Sequence, residues 1–276
     1  MFVAILFNRT TVKNTKPQSE FLESYFINVN DYEDSFAKSK EVSKSKVLAA
    51  ITSHHFLAKD LIAQTFSGID PTQLKTVIII SPDHFKQITG TGVNVQTTNN
   101  TWQTPFGEME SEGKLIDRIL GEKRVVLDMN TFRSEHGIYT LIPFAKKSLP
   151  QTKVVPLVLR QNNDYKYFYE LGERVSRMVN LNQTALIISS DFSHYTSVEN
   201  AKLNDQKSID LLPSKRLEDV GLITNDCKQC TAFLFGYLKN TNTDFKLVSN
   251  LNSFDISGKE SENVTSYVGG YFVGKQ

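Results

Sequence analysis

Short apolar runs alternate along the chain with longer segments in which apolar residues recur at helical spacing. The runs are rich in β-branched residues and cover 47–51, 77–80, 154–159 and 185–190. Runs of this length and composition are typical of strands that are buried on both faces of a parallel sheet. Because helical segments separate them, the pattern predicts a single α/β domain: a mostly parallel central sheet with helices on both faces.

The same pattern predicts the remaining elements. Apolar residues at Leu57, Leu61, Ile62 and Phe66, for example, lie on one face of a helix. Helices are predicted over 56–66, 111–120, 135–148, 165–179, 199–212 and 228–239, and further strands over 245–248 and 266–273.

The start of the chain differs in character from the rest. Residues 1–7 are apolar but far shorter than the roughly 20 residues that span a bilayer, so they predict a first strand or an ordered arm. Residues 9–45 are polar and rich in Lys, Ser and Asn. We therefore assign 1–45 to an N-terminal lead-in arm and 46–276 to the α/β domain.

All five histidines and both cysteines fall into four short clusters. Three of the clusters directly follow predicted strands. The clusters are Ser53-His54-His55, Asp83-His84, Glu135-His136 together with Asp191-Phe192-Ser193-His194-Tyr195, and Cys227-Lys228-Gln229-Cys230. Since ligands in such folds bind beyond the carboxyl ends of the strands, we expect imidazoles, a carboxylate and a thiol to meet in one pocket.

Two imidazoles and a thiolate make an open three-ligand metal site. His54 or His55 would supply one nitrogen, His84 the second, and Cys227 the sulfur, with one position left for water or substrate. Imidazole suits zinc, copper, iron and nickel, and a thiolate shifts the preference toward Cu(I), Zn or Fe. His55 is the weaker candidate because successive side chains of an extended segment point in opposite directions.

The remaining polar residues of the clusters are expected to support the ligands. Asp191, Glu135 and His136 would orient them by hydrogen bonds, and His194 would act as a general acid or base. Each also has an ordinary structural explanation: Asp191, for example, would cap the next turn through its carboxylate.

The two cysteines allow a second interpretation. At the first turn of the helix predicted over 228–239, the positive end of the helix dipole favours a thiolate at Cys227. The pair Cys227 and Cys230 is therefore also a candidate dithiol redox site.

Trp102, the one tryptophan, lies in the segment 101–107. This segment is typical of a rigid turn around Pro105 and Gly107, and the alternative is a wall of the pocket.

Composition excludes some classes of partner. The 31 lysines and arginines balance the 30 aspartates and glutamates, so nothing favours nucleic acid or an anionic membrane. Two cysteines three residues apart do not form the disulfide framework of a small secreted protein. We therefore expect a cytoplasmic protein.

The motifs in their order resemble the Memo family, whose microbial members are called AmmeMemoRadiSam system protein B. The resemblance covers roughly residues 47 to 273. It is carried by Ser53-His54, Pro82-Asp83-His84, Trp102-Gln103-Thr104-Pro105-Phe106-Gly107, Glu135-His136, Ser190-Asp191-Phe192-Ser193-His194-Tyr195 and the late Cys227.

The resemblance implies a fold similar to that of class III (LigB-type) non-haem iron extradiol dioxygenases. In those enzymes two histidines and a glutamate hold Fe(II), and a cysteine stands in place of the glutamate in Memo proteins. The resemblance thus implies His54, His84 and Cys227 as ligands of Fe(II) or Cu(I), with zinc as an alternative. It also implies a radical-SAM protein and an AMMECR1-like protein as partners.

The chain departs from the family pattern in three places. His55-Phe56-Leu57 replaces Ala-Gly-Tyr after the first histidine, Phe85 replaces a histidine, and Lys228-Gln229 replaces Gly-Arg. Three functions stay open: a metal-binding protein with oxidoreductase potential, an extradiol dioxygenase, and a non-enzymatic module that binds a peptide or protein. The cysteine argues against the dioxygenase, because Fe(II)/O2 chemistry prefers a hard carboxylate.

Overall fold

Ten strands and ten α-helices make up the described part of the computed structural model, which comprises residues 21–39, 44–259 and 261–275. The strands are β1 (Leu22–Glu23), β2 (Val47–Thr52), β3 (Thr76–Pro82), β4 (Val95–Thr97), β5 (Trp102–Gln103), β6 (Val125–Leu127), β7 (Lys153–Leu159), β8 (Thr184–Ser189), β9 (Thr243–Asn252) and β10 (Ser266–Gly274). The helices are α1 (Val29–Lys38), α2 (Lys59–Ser67), α3 (Gly113–Leu120), α4 (Asn130–Ser134), α5 (His136–Tyr139), α6 (Leu141–Ser148), α7 (Tyr165–Met178), α8 (Val198–Leu211), α9 (Lys228–Leu238) and α10 (Ser253–Ser257).

Eight of the strands form one mixed sheet in the order β6-β4-β7-β3-β8-β2-β10-β9. Its centre, β7-β3-β8-β2, is parallel as predicted. The flanks contain antiparallel pairs: β4 with β7, β10 with β2, and β9 with β10. The last two strands follow each other along the chain, and the short connection over 253–265 suits an antiparallel rather than a parallel pair.

The central strands are apolar throughout because both faces of the sheet are covered. In β3, Ile78 and Ile80 belong to the core on one face, whereas Val77 and Ile79 belong to the core on the other. All four side chains are inaccessible to solvent. This alternation places successive side chains in two separate cores, and it confirms the predicted strands with helices on both faces.

Two of the predicted helices are each split into two shorter helical segments in the structure. The segment predicted over 135–148 comprises α5 and α6, and Glu135 itself has an extended backbone and accepts a hydrogen bond from the Gly137 amide as the cap of α5. Pro143 cannot donate the backbone hydrogen bond that would continue one helix across this point. The segment predicted over 56–66 begins with a 3-10 turn, Phe56–Ala58, before α2.

Part of the predicted lead-in packs on the domain. β1 pairs with β5 in a separate two-stranded sheet, and Tyr32 of α1 is fully buried in the core on one face of the main sheet. Residues 1–20 and 40–43, including the apolar stretch over 1–7, lie outside the described residues. Within the described ranges, no helix combines the length and apolar character needed to cross a membrane.

Candidate metal centre

Three imidazoles meet beyond the carboxyl ends of β2 and β3. His54 follows β2, His84 follows β3, and His136 is the first residue of α5. The ring centroids lie 4.6 Å apart for His54 and His84, 5.0 Å for His54 and His136, and 4.0 Å for His84 and His136. One nitrogen from each ring lies within 4.8 Å of the others, so the three side chains form a group that can hold a metal ion.

Glu135 determines how the His84 ring is turned. The carboxylate Oε1 lies 2.6 Å from His84 Nδ1, and Oε2 accepts a hydrogen bond of 3.0 Å from the His84 amide. With Nδ1 donating to the carboxylate, Nε2 is the nitrogen that faces the cavity. His84 Nε2 is buried and has no hydrogen-bond partner.

Ser189 has the same role for His54. The Ser189 hydroxyl donates to the Gly137 carbonyl at 2.6 Å and lies 3.1 Å from His54 Nδ1. Because a hydroxyl has one proton, the oxygen of Ser189 accepts from Nδ1. The neutral His54 ring therefore carries its lone pair on Nε2, on the side of the cavity.

Two carboxylates complete the floor of the cavity. Asp226 Oδ2 lies 3.4 Å from His54 Nε2 and 3.5 Å from His84 Nε2. Asp191 Oδ2 lies 3.6 Å from His54 Nε2. Both carboxylates are anchored through their other oxygens, to which Ser190 and Ser53 donate at 2.8 Å and 2.5 Å.

Burial and the carboxylates have opposite effects on the imidazoles. Burial lowers the pKa of His54 and of His136 to about 4, so both rings are neutral at pH 7. Burial also acts to lower the pKa of His84, but Asp226 and Glu135 outweigh it and raise that pKa to about 10. Burial and the neighbouring Asp226 raise the pKa of Asp191 to about 6. The floor therefore favours one positive charge at His84.

His194 and His55 lie at the same cavity but outside the three-imidazole group. His194 Nδ1 lies 2.8 Å from the Phe192 carbonyl, so Nδ1 donates and Nε2 is the available nitrogen. His55 Nδ1 lies 2.7 Å from the Tyr267 hydroxyl. His54 and His55 thus have different partners, as expected for successive residues of an extended segment.

The cavity above this floor has a volume of about 610 Å³. Its walls are mainly apolar and aromatic. Besides the residues of the floor, it is lined by His55, His194, Phe26, Phe56, Leu57, Tyr139, Thr140, Tyr195 and Thr265. No lysine or arginine is among these lining residues. The open side leaves room for a small molecule next to the imidazoles.

Besides Glu135, which supports His84 from behind, three predicted site residues do not line the cavity. Cys227 and Cys230 are bonded to each other as a disulfide and are fully buried in one of the two cores. Trp102 is fully buried in the other core, with Phe132 against its edge at a ring-centroid distance of 6.4 Å. Gly107 has a φ of 97°, which agrees with a rigid turn over 101–107.

Two residues of the site were not singled out from the sequence. Asp226 directly precedes Cys227 of a predicted cluster, and Ser189 lies within the strand predicted over 185–190. The one signal in the sequence is position, because Ser189, the last residue of β8, lies two residues before Asp191. His136 was predicted to orient ligands, but its ring lies within the imidazole group itself.

Comparison with known proteins identifies the family. The family model described as Memo-like protein matches residues 13–271, so it extends into the predicted lead-in. A MEMO1 family protein of Methanococcus maripaludis (strain C5) is 32% identical over 164 residues, which is 56% of this chain and 56% of the relative. A MEMO1 family protein of Methanosarcina mazei is 26% identical over 239 residues, which is 82% of this chain and 86% of the relative.

The aligned part of the chain spans about half the length of the Methanococcus maripaludis relatives, 56% for strain C5 and 46% for strain S2. Among solved structures, the crystal structure of an uncharacterized protein, JW3007 from Escherichia coli K12, matches with a TM-score of 0.50 and 11% identity. The match covers 80% of this chain and 98% of that one, and it supports the fold. On the match over residues 13–271, the chain belongs to the Memo-like protein family.

Proposed function

We propose that this protein binds a transition-metal ion at His54, His84 and His136. The observation that carries the proposal is that one nitrogen of each ring lies within 4.8 Å of the others, with the His84 ring fixed by Glu135. The chemistry of the donors fits, because imidazole nitrogens are ligands of iron, copper and zinc.

The proposal also includes which ion binds and what redox chemistry that ion supplies. Fe(II) or Cu(I) is the ion that the motifs favour, with zinc as the alternative. A metal ion with three protein ligands would supply a Lewis acid and, for iron or copper, a redox centre with an open position. Oxidoreductase activity, a cytoplasmic location, and partnership with a radical-SAM protein and an AMMECR1-like protein are the further parts of the proposal.

The chain's own residues would manage protons around a bound molecule. His194 presents Nε2 toward the cavity while Nδ1 is held by the Phe192 carbonyl, so this ring can accept or donate a proton at one defined atom. Asp191, with its pKa raised to about 6 by burial and by Asp226, is a second group that exchanges protons near neutral pH.

Metal titration of protein purified without oxygen tests the proposal. We expect one Fe(II), Cu(I) or Zn(II) ion per chain, and loss of binding in His84→Ala. His55→Ala is the matched control, because it removes an imidazole that lines the same cavity but is bound to Tyr267. Absence of stoichiometric binding, or equal loss in both variants, would contradict the assignment and favour a binding module without a metal.

A further inference from the structure

The carboxylate of Asp226 is placed as a metal ligand would be. Its Oδ1 accepts a hydrogen bond from the Ser190 hydroxyl, which leaves Oδ2 to face His54 and His84. The Asp226 amide donates to the Asp191 carbonyl at 3.0 Å, so the backbone is also held. A ligating carboxylate is commonly oriented by such a hydrogen bond to its second oxygen.

His54 Nε2 and Asp226 Oδ2, which face each other at 3.4 Å, are both electron-pair donors. His54 Nε2 carries a lone pair, because Nδ1 donates to Ser189, and Asp226 Oδ2 has no proton to offer when ionised. Two atoms that each lie about 2.1 Å from a tetrahedral ion are about 3.4 Å apart. The observed separations of 3.4 Å and 3.5 Å match that value.

The sulfur of Cys227 is directed elsewhere. Cys227 is the residue that precedes the first turn of α9, and its side chain is fully buried. Asp226 and Cys227 are adjacent, and their side chains lie in different surroundings. The structure presents Asp226, whereas Cys227 lies in the core and is bonded to Cys230.

We infer that Asp226, and not Cys227, is the anionic ligand of the metal site, together with His54 and His84 and with His136 as a further nitrogen. The inference rests on the proposed function and changes its ligand set. An oxygen donor in place of a thiolate favours Fe(II), Mn(II) and Zn(II) over Cu(I). The cysteine pair then has a structural role, closing the first turn of α9 within the core.

Cobalt(II) is the probe that separates the two ligand sets without any substitution. Bound to reduced wild-type protein, cobalt(II) coordinated by imidazole and carboxylate lacks the intense near-ultraviolet band of a cobalt–thiolate bond. We expect that band to be absent. A thiolate band that disappears in Cys227→Ser would overturn the inference while leaving the proposed metal function intact.

A second test compares the metal affinities of substituted proteins with that of the wild type. We expect Asp226→Asn to weaken Zn(II) and Fe(II) binding by more than about 100-fold, beyond the effect usual for residues that only orient a ligand. Asp210→Asn, exposed on α8, is the matched control. The double variant Cys227→Ser/Cys230→Ser should keep its affinity within about threefold, provided that circular dichroism shows it folded.

The outcomes distinguish the two claims. Wild-type affinity in folded Asp226→Asn overturns the inference alone. Failure of the wild-type protein to bind any of the tested ions overturns the proposed function, and the inference with it.

Discussion

Glu135 holds His84 at two points, with one carboxylate oxygen 2.6 Å from the ring Nδ1 and the other 3.0 Å from the backbone amide. The side chain of Glu135 is almost completely buried, and Oε1 also accepts from the Gly137 amide at 2.9 Å. The ring and backbone of His84 are therefore oriented by one buried side chain that does not itself line the cavity.

Replacing Glu135 with Gln should weaken metal binding without unfolding the protein. The amide keeps one acceptor but puts an N–H₂ group where the second acceptor is needed, so either the His84 ring or its amide loses a partner. We expect metal affinity to fall by about 10- to 100-fold, as is typical when a residue that orients a metal-binding histidine is changed. Titration with Zn(II) measures the metal affinity of Glu135→Gln. Glu262→Gln, which changes an exposed side chain, is the control.

Gly137 is expected to tolerate no side chain. A Cβ at this position would lie 1.9 Å from Ser81 Oγ and 2.9 Å from Ser81 Cβ. Since the Gly137 amide and carbonyl bind Glu135 and Ser189, a backbone shift would disturb the supports of both His84 and His54. We expect Gly137→Ala to lower the free energy of unfolding by about 1–3 kcal/mol and to weaken metal binding.

Urea unfolding of Gly137→Ala beside Gly113→Ala tests this. A Cβ at Gly113 meets nothing within 4 Å, so that variant should unfold like the wild type. Partial recovery in Gly137→Ala/Ser81→Gly is expected, because the second change removes the atoms that clash. Equal stability of the two single variants would mean that the Gly137 site has room.

Metal binding should release one proton and strengthen as pH rises. Without metal, Asp226 and Glu135 raise the pKa of His84 to about 10 against the effect of burial, so the ring is protonated at pH 7. His54 and His136, with pKa values lowered to about 4 by burial, have no proton to lose there. Below the pKa of His84 the ion must displace its proton, so affinity should rise about tenfold per pH unit.

Calorimetric titration in buffers of different ionisation enthalpy counts the released protons directly. One proton per ion between about pH 6 and 9 is the expected result. A binding enthalpy that does not depend on the buffer would show that His84 is neutral before the ion arrives.

Asp205 should stabilise the loop that carries His194. This α8 residue is almost completely buried, and its Oδ1 accepts hydrogen bonds of 2.8 Å from the hydroxyls of Ser193 and Ser266. Asp205→Ala leaves two buried hydroxyls without their acceptor, and we expect a loss of about 1–3 kcal/mol in the free energy of unfolding. Asp205→Asn keeps an acceptor oxygen and should lose clearly less in the same urea titration.

Much of the fold was predictable because its strands are buried on both faces. Full burial makes each central strand a continuous apolar run, so β2, β3, β7 and β8 are visible in the sequence within two residues at each end. The antiparallel flanks were not predictable, because strand direction depends on the path of the chain. The division between α5 and α6 depends on a single missing donor at Pro143.

The sequence alone also determined that His54 and His84 lie at one edge of the sheet, because each directly follows a strand of its parallel centre. The strands β2 and β3 are not neighbours, and the two rings meet across the end of β8, which lies between them. The tertiary structure decided which of two adjacent residues, Asp226 or Cys227, turns toward the imidazoles. It also placed Trp102 in the core and His136 against His84. These outcomes depend on backbone angles and on packing across the sheet, which spacing along a chain does not contain.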